Sequence, residues 1–195
     1  LAIGGVYASG VMHWATLEML AYGILLSIAA VFGGLLAGFM DARFGPRQAV
    51  RIEVFGALLC LVGQLSMGRD HMFFLIPYDP AAQAPLWNGP LFRTLPEVTY
   101  LIIGLGVGVF VTGQYASSRT LLTRLVPESK AASFFGLYAL SGTVTAWLGA
   151  FLVGTFTAIF RTQQAGFAPI AMLMCIGLVG MLFVKGGGAL GQDPR

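Results

Sequence analysis

The feature that most constrains this chain is a series of uncharged runs, each long enough to cross a lipid bilayer. Met19 to Met40, Val98 to Ser118, Ala131 to Phe160 and Thr162 to Val184 contain no Asp, Glu, Lys or Arg. A hydrocarbon core about 30 Å thick is spanned by a helix of roughly 20 apolar residues. Four spanning helices are therefore expected from these runs. A fifth, over 48–68, is long enough if Arg51 and Glu53 reach back to the headgroups. Leu1 to Met12 is apolar but too short to cross, and reads as the last part of another helix. A β-barrel would show segments of about ten alternating residues instead of unbroken runs, so the expected fold is an all-α membrane bundle of five full transmembrane helices plus the end of a sixth.

Composition agrees. Only 10% of the 195 residues are charged and 57% are hydrophobic, whereas soluble domains carry about 25% charged residues. Cys60 and Cys175 fall inside expected spans at no metal-ligand or redox spacing, which points to small buried side chains and to no metal site. The net charge of +3 is not gathered into a solvated basic patch with aromatic neighbours, so no nucleic-acid partner is expected. The chain starts with Leu and lacks the charged n-region and cleavage site of a signal peptide, so more sequence is expected upstream.

The basic residues set an orientation. Arg43, Arg47, Arg51, Arg119, Arg124, Lys130, Lys185 and Arg195 fall on one side of the alternating spans, and only Arg69, Arg93 and Arg161 on the other. Short loops rich in Lys and Arg stay in the cytoplasm, so the C-terminus is expected to be cytoplasmic. Residues 69–97, with five of the nine prolines, then form an external loop that divides the chain into two groups of three helices. Three plus three is the layout of one half of many secondary transporters, built from inverted three-helix units around a site near the bilayer midplane.

Two motifs narrow the reading. GFMDARFGPR, residues 38–47, resembles the loop motif between the second and third helices of a major facilitator half, with Gly38, Arg43, Gly45 and Arg47 in register. Ala42 stands where that superfamily has its aspartate, and Asp41 comes one residue early, about 100° away around a helix. Asp41 could fill the gating role only if the helix has begun to unwind there. Just before it, Gly34 and Gly38 form a GxxxG pair of the kind that lets a second helix approach. The second motif, SRTLLTRLVPESKAASFFGLY, resembles the signature of the vacuole-effluxer (autophagy-related) family of the major facilitators at Ser118, Arg119, Arg124, Leu125, Pro127, Phe134, Phe135, Gly136 and Tyr138. The stretches GGVYASGV and LLSIAAVFGGLLAGFMDARFG are similar to that family's seventh and eighth helices, although the family's glutamine is expected four residues before the arginine, at Tyr115, whereas this chain has Gln114.

The resemblance implies the C-terminal six-helix half of a twelve-helix exporter of small solutes, amino acids among them, working by alternating access. On that reading residues 1–185 are the transmembrane half, with spans over 1–12 (partial), 16–40, 48–68, 98–118, 132–158 and 164–184, and 186–195 are a cytoplasmic tail. The implied partners are the bilayer, a small solute and the missing N-terminal half, without a cofactor, in a bacterial inner (plasma) membrane.

Polar side chains deep in spans are costly and so are default candidates for a solute pathway. They are Thr112, Gln114, Tyr115 and Ser117 on the fourth expected helix and Ser141, Thr143 and Trp147 on the fifth, with Tyr138 and Thr145 beside them. Helix-to-helix hydrogen bonding is the competing role for the hydroxyls. GLGVG at 104–108 lacks dinucleotide-binding spacing and reads as helix packing. No carboxylate lies mid-span. If transport is coupled to protons, Glu53 is the local candidate. A non-transporting scaffold or solute receptor on the same fold is the alternative. A membrane enzyme is disfavoured, and no catalytic residue is expected, because His13 and His71 lie near the outer side while Ser117 and Ser118 lie near the cytoplasmic end.

Overall fold

The structure, a computed structural model, describes residues 2–68, 71–79 and 85–184. Arg69, Lys185, Arg195 and the expected tail at 186–195 lie outside the described residues. Among the described residues six α-helices run α1 Ala2–Val11, α2 Thr16–Phe44, α3 Pro46–Leu65, α4 Leu95–Leu125, α5 Ala131–Phe160 and α6 Gln163–Phe183. Five of them, α2 to α6, are long and apolar enough to cross a membrane. A two-stranded antiparallel hairpin, β1 His71–Met72 with β2 Ile76–Pro77, sits between α3 and α4. The expected loop thus contains a small ordered ribbon.

Local chemistry sets the helix ends. A carboxylate reaches back to the start of α2, where Glu18 Oε2 accepts from the Ala15 N–H at 2.9 Å, and to the start of α4, where Glu97 Oε2 accepts from the Thr94 N–H at 2.9 Å. Each satisfies a donor that has no partner within its helix. At α6 the Thr162 hydroxyl accepts from the Ala165 N–H at 3.3 Å. Between α2 and α3 the whole connection is Gly45, whose φ of 80° and ψ of 152° lie in a region that only glycine occupies comfortably. Pro46 then opens α3, where its missing N–H costs nothing.

α4 is the hub, packing closely against both α2 and α3. α5 pairs with α6, and α6 leans on α3, while α4 and α5 touch only slightly. The two expected three-helix groups therefore interlock, with the first helix of the second group wedged into the first. Glycines make the wedge possible. A Cβ on Gly33 would run into the backbone of Val109, one on Gly108 would sit 3.2 Å from Leu26 Cδ2, and one on Gly106 would sit 2.8 Å from Cys60 Sγ. The GLGVG stretch is thus a packing surface. On α2 the close approach falls at Gly33, in the buried series Tyr22, Leu26, Ala29, Gly33, Ala37 and Met40. Gly34 and Gly38, the expected contact pair, have no atom of another element among the described residues within 4 Å of where a Cβ would stand.

At the end away from Arg43, Arg47 and Arg51, aromatic rings from α1, α2, α4 and α6 form the core. Tyr7 stacks on Tyr100 with centroids 5.8 Å apart, and Trp14 packs edge-on against Tyr22, Phe92 and Tyr100. The tyrosine hydroxyls are spent on backbone and amide partners, whereas Trp14 Nε1 is buried with no hydrogen-bond partner among the described residues. The Tyr100 hydroxyl donates to the Gly4 carbonyl at 2.8 Å, the Tyr7 hydroxyl to that of Met67 at 2.9 Å, and Gln64 Nε2 to the Tyr22 hydroxyl at 3.1 Å.

Candidate functional site

The pathway candidates of α4 and α5 separate into two groups. Ser117 is fully buried and turns toward α3, where its hydroxyl donates to Glu53 Oε1 at 3.2 Å. Glu53 is itself 1% exposed. Its Oε2 is buried with no hydrogen-bond partner among the described residues. Gly113 leaves room for this carboxyl, since a Cβ there would lie 2.7 Å from Glu53 Oε1 and 3.3 Å from the Gly33 carbonyl oxygen. Glu53 thus occupies the junction of α2, α3 and α4, about 10 Å along α3 from its first residue at 1.5 Å per residue.

The second group lies on the open side of α4 and α5. The Ser118 and Tyr138 hydroxyls are 2.8 Å apart and join two residues of the family signature across the helix pair. Tyr115, one turn before Ser118, is 57% exposed, and Ser141, one turn beyond Tyr138, is exposed as well. Ser141 and Thr143 spend their hydroxyl hydrogens on their own helix, at the carbonyls of Tyr138 and Ala139, and keep their oxygen lone pairs outward. Trp147 is exposed and stacks on Phe151. Thr112 is half-buried, as is Gln114, whose Oε1 is buried with no hydrogen-bond partner among the described residues. Arg119, Arg124, Pro127 and Phe134 are exposed, Phe135 is half-buried, and Gly136 has no atom of another element among the described residues within 4 Å of where a Cβ would stand.

The loop motif sits at the same end. α2 stays helical through Asp41 to Phe44, and the Gly45 N–H donates to the Asp41 carbonyl at 3.1 Å. The unwinding that would bring Asp41 into the superfamily's register is therefore not present. Asp41 Oδ1 and Arg47 Nε are both buried with no hydrogen-bond partner among the described residues. Arg43 lies over the Phe44 ring, 5.8 Å from its centroid. Arg51, expected to reach for headgroups, is turned inward. It donates from Nε and Nη2 to the Met181 carbonyl at 3.1 and 2.8 Å, and from Nη2 to the Leu182 carbonyl at 3.1 Å, closing the last turn of α6. This capping role, the Gln64–Tyr22 pair and the aromatic core were not visible in the sequence.

At the opposite end a cavity of about 710 Å³ opens between α2, α4 and the segment before α4, lined by Ile24, Leu25, Trp87, Leu91, Phe92 and Leu101 among others. It lacks the convergent polar groups that hold a polar solute. Among the described residues no group of three or more His, Cys, Asp or Glu is placed to hold a metal ion. His13 lies between α1 and α2 and His71 in β1 before α4, whereas Ser117 and Ser118 come more than 20 residues along α4.

Residues 93–188 match the family described as vacuole effluxer Atg22 like. Over those residues the chain is similar to this family. The Atg22-like match begins just before α4 and takes in Ser118, Arg124, Pro127 and Tyr138. Autophagy-related protein 22 of Cryptococcus neoformans var. neoformans serotype D is 24% identical over 172 residues, covering 88% of this chain and 28% of that protein. Autophagy-related protein 22 of Candida glabrata is 19% identical over 182 residues, covering 89% of this chain and 29% of its own length. The Atg22-like chain thus spans under a third of the length of the curated relatives it matches. No solved structure matches it.

Proposed function

We propose that this Atg22-like chain is the C-terminal six-helix half of a major-facilitator exporter, moving small solutes, amino acids first among them, by alternating access. The observation that carries this reading is the polar strip Tyr115, Ser118, Tyr138 and Ser141. Tyr115 and Ser141 lie exposed and Ser118 and Tyr138 half-buried on the open side of α4 and α5, on a chain that is similar over residues 93–188 to a family of effluxers and accounts for under a third of its relatives' length. Hydroxyls on the open side of a membrane helix are costly against lipid but apt for a wet path between two halves. The open glycines of α2 (Gly34, Gly38) and α5 (Gly142, Gly149, Gly154) fit the close approach of further helices from that second half. In this reading the end bearing Arg43, Arg47, Arg119 and Arg124 faces the cytoplasm, and those arginines stand where a gate closes.

The test is counterflow. Full-length protein in lipid vesicles preloaded with each of the twenty common amino acids in turn should accumulate labelled solute for a subset of them. No uptake for any of them, with correctly inserted protein, would sink the amino-acid reading.

A further inference from the structure

The geometry points to Glu53 as a proton-binding site, a carboxyl at the α2–α3–α4 junction that takes up and releases one proton as the helices around it part and close. The case rests on what surrounds it. The side chain is 1% exposed, Ser117 gives one hydrogen bond to Oε1, and Oε2 has no partner among the described residues. A buried carboxylate normally needs a cation or a full set of donors, because an uncompensated charge in low dielectric is strongly disfavoured.

Neither is at hand. From α2 the charged neighbour is Asp41, which acts on Glu53 electrostatically with the same sign. From α3 itself, Arg51 is committed to the Met181 and Leu182 carbonyls, and Arg47 is a turn and a half away. From α4 the facing groups are Ser117 and Gly113, while Arg119 is exposed. α6 contains no Asp, Glu, Lys, Arg or His over Gln163–Phe183. A proton on Oε2 supplies the positive charge that no neighbour brings. The step is a simple transfer: a hydronium of the water at the basic end gives its proton to Oε2, an O–H bond forms, and water leaves. Oε1 keeps its hydrogen bond from Ser117 throughout.

The small residues make the site sensitive to helix movement. Gly113 and Gly33 allow α2 and α4 to close over the carboxyl, so a slight parting of these helices would admit water to Oε2. The proton site stands on this geometry alone. Its coupling to solute movement rests on the transporter reading above.

The two parts are tested separately on the full-length protein in lipid vesicles. Infrared difference spectra between about pH 4 and about pH 10 should show a protonated-carboxyl carbonyl band that titrates and is absent in Glu53→Gln. In the unmodified protein, dicyclohexylcarbodiimide, which attacks protonated carboxyls in apolar surroundings, should label Glu53. Its incorporation should fall about tenfold for each pH unit above the midpoint. This labelling reads the site even if Glu53→Gln does not fold. No titrating band lost in Glu53→Gln, or labelling of Glu53 that ignores pH, would overturn the proton site. In counterflow, Glu53→Gln should still exchange solute but no longer respond to an imposed pH gradient. A retained response overturns the coupling. Absence of transport in every vesicle refutes the transporter reading, while the infrared band and the labelling still decide whether Glu53 binds a proton.

Discussion

Gly45 carries the turn between α2 and α3 alone, at φ 80° and ψ 152°. A non-glycine residue there costs about 1–3 kcal/mol of backbone strain, so Gly45→Ala should lower the thermal midpoint of the purified full-length protein by several degrees. An unchanged midpoint would mean that the turn has another conformation. Arg51 is a second position where one side chain does a specific job. Charged hydrogen bonds are worth about 1.5–3 kcal/mol, so Arg51→Leu should loosen the end of α6, seen as faster amide hydrogen exchange over its last turn and little change in α4. Both positions stand out in the sequence, Gly45 as part of a motif and Arg51 as a residue snorkelling to headgroups. The role of Arg51 was hidden because its acceptors lie 130 residues away, and no local pattern encodes the register between α3 and α6.

At the scale of helices, the apolar runs were legible because the bilayer imposes a length and excludes charge. Which face of each helix points inward was not. An amphipathic helix displays its buried stripe in its periodicity, but a helix that is hydrophobic all round does not. On α2 the seam falls at Gly33 instead of Gly34, one residue and about 100° from the GxxxG pair that the sequence suggested. The same ambiguity concealed the junction of Ser117 with Glu53, two residues on separate helices, and the aromatic core around Tyr100. The phase of α2 can be checked directly. Gly33→Val should destabilise the protein markedly, because its side chain meets Val109 backbone, which cannot swing aside. By contrast, Gly23→Val, on the open face, should unfold within about 0.5 kcal/mol of the starting protein. Equal losses would place the α2–α4 seam elsewhere. The Ser118–Tyr138 bond joins α4 to α5, which otherwise meet only slightly. Loss of a neutral hydrogen bond costs about 1 kcal/mol, so Tyr138→Phe should change counterflow rate in greater proportion than it changes the thermal midpoint.

For the molecule as a whole, the weight of contact is uneven. α2, α3 and α4 form one tight body, whereas α5 has no fully buried residue and is held chiefly by α6. That division has a consequence during synthesis. The tight body is complete once α4 has left the ribosome, but α5 follows into the bilayer with almost nothing in this chain to hold it. Until α6 arrives, some 30 residues of nascent helix, four of them unpaired glycines, rest on lipid or on whatever insertion machinery shelters them. A message truncated between α5 and α6 would leave a single orphaned segment beside a finished core, the kind of exposed helix that membrane proteases recognise and extract.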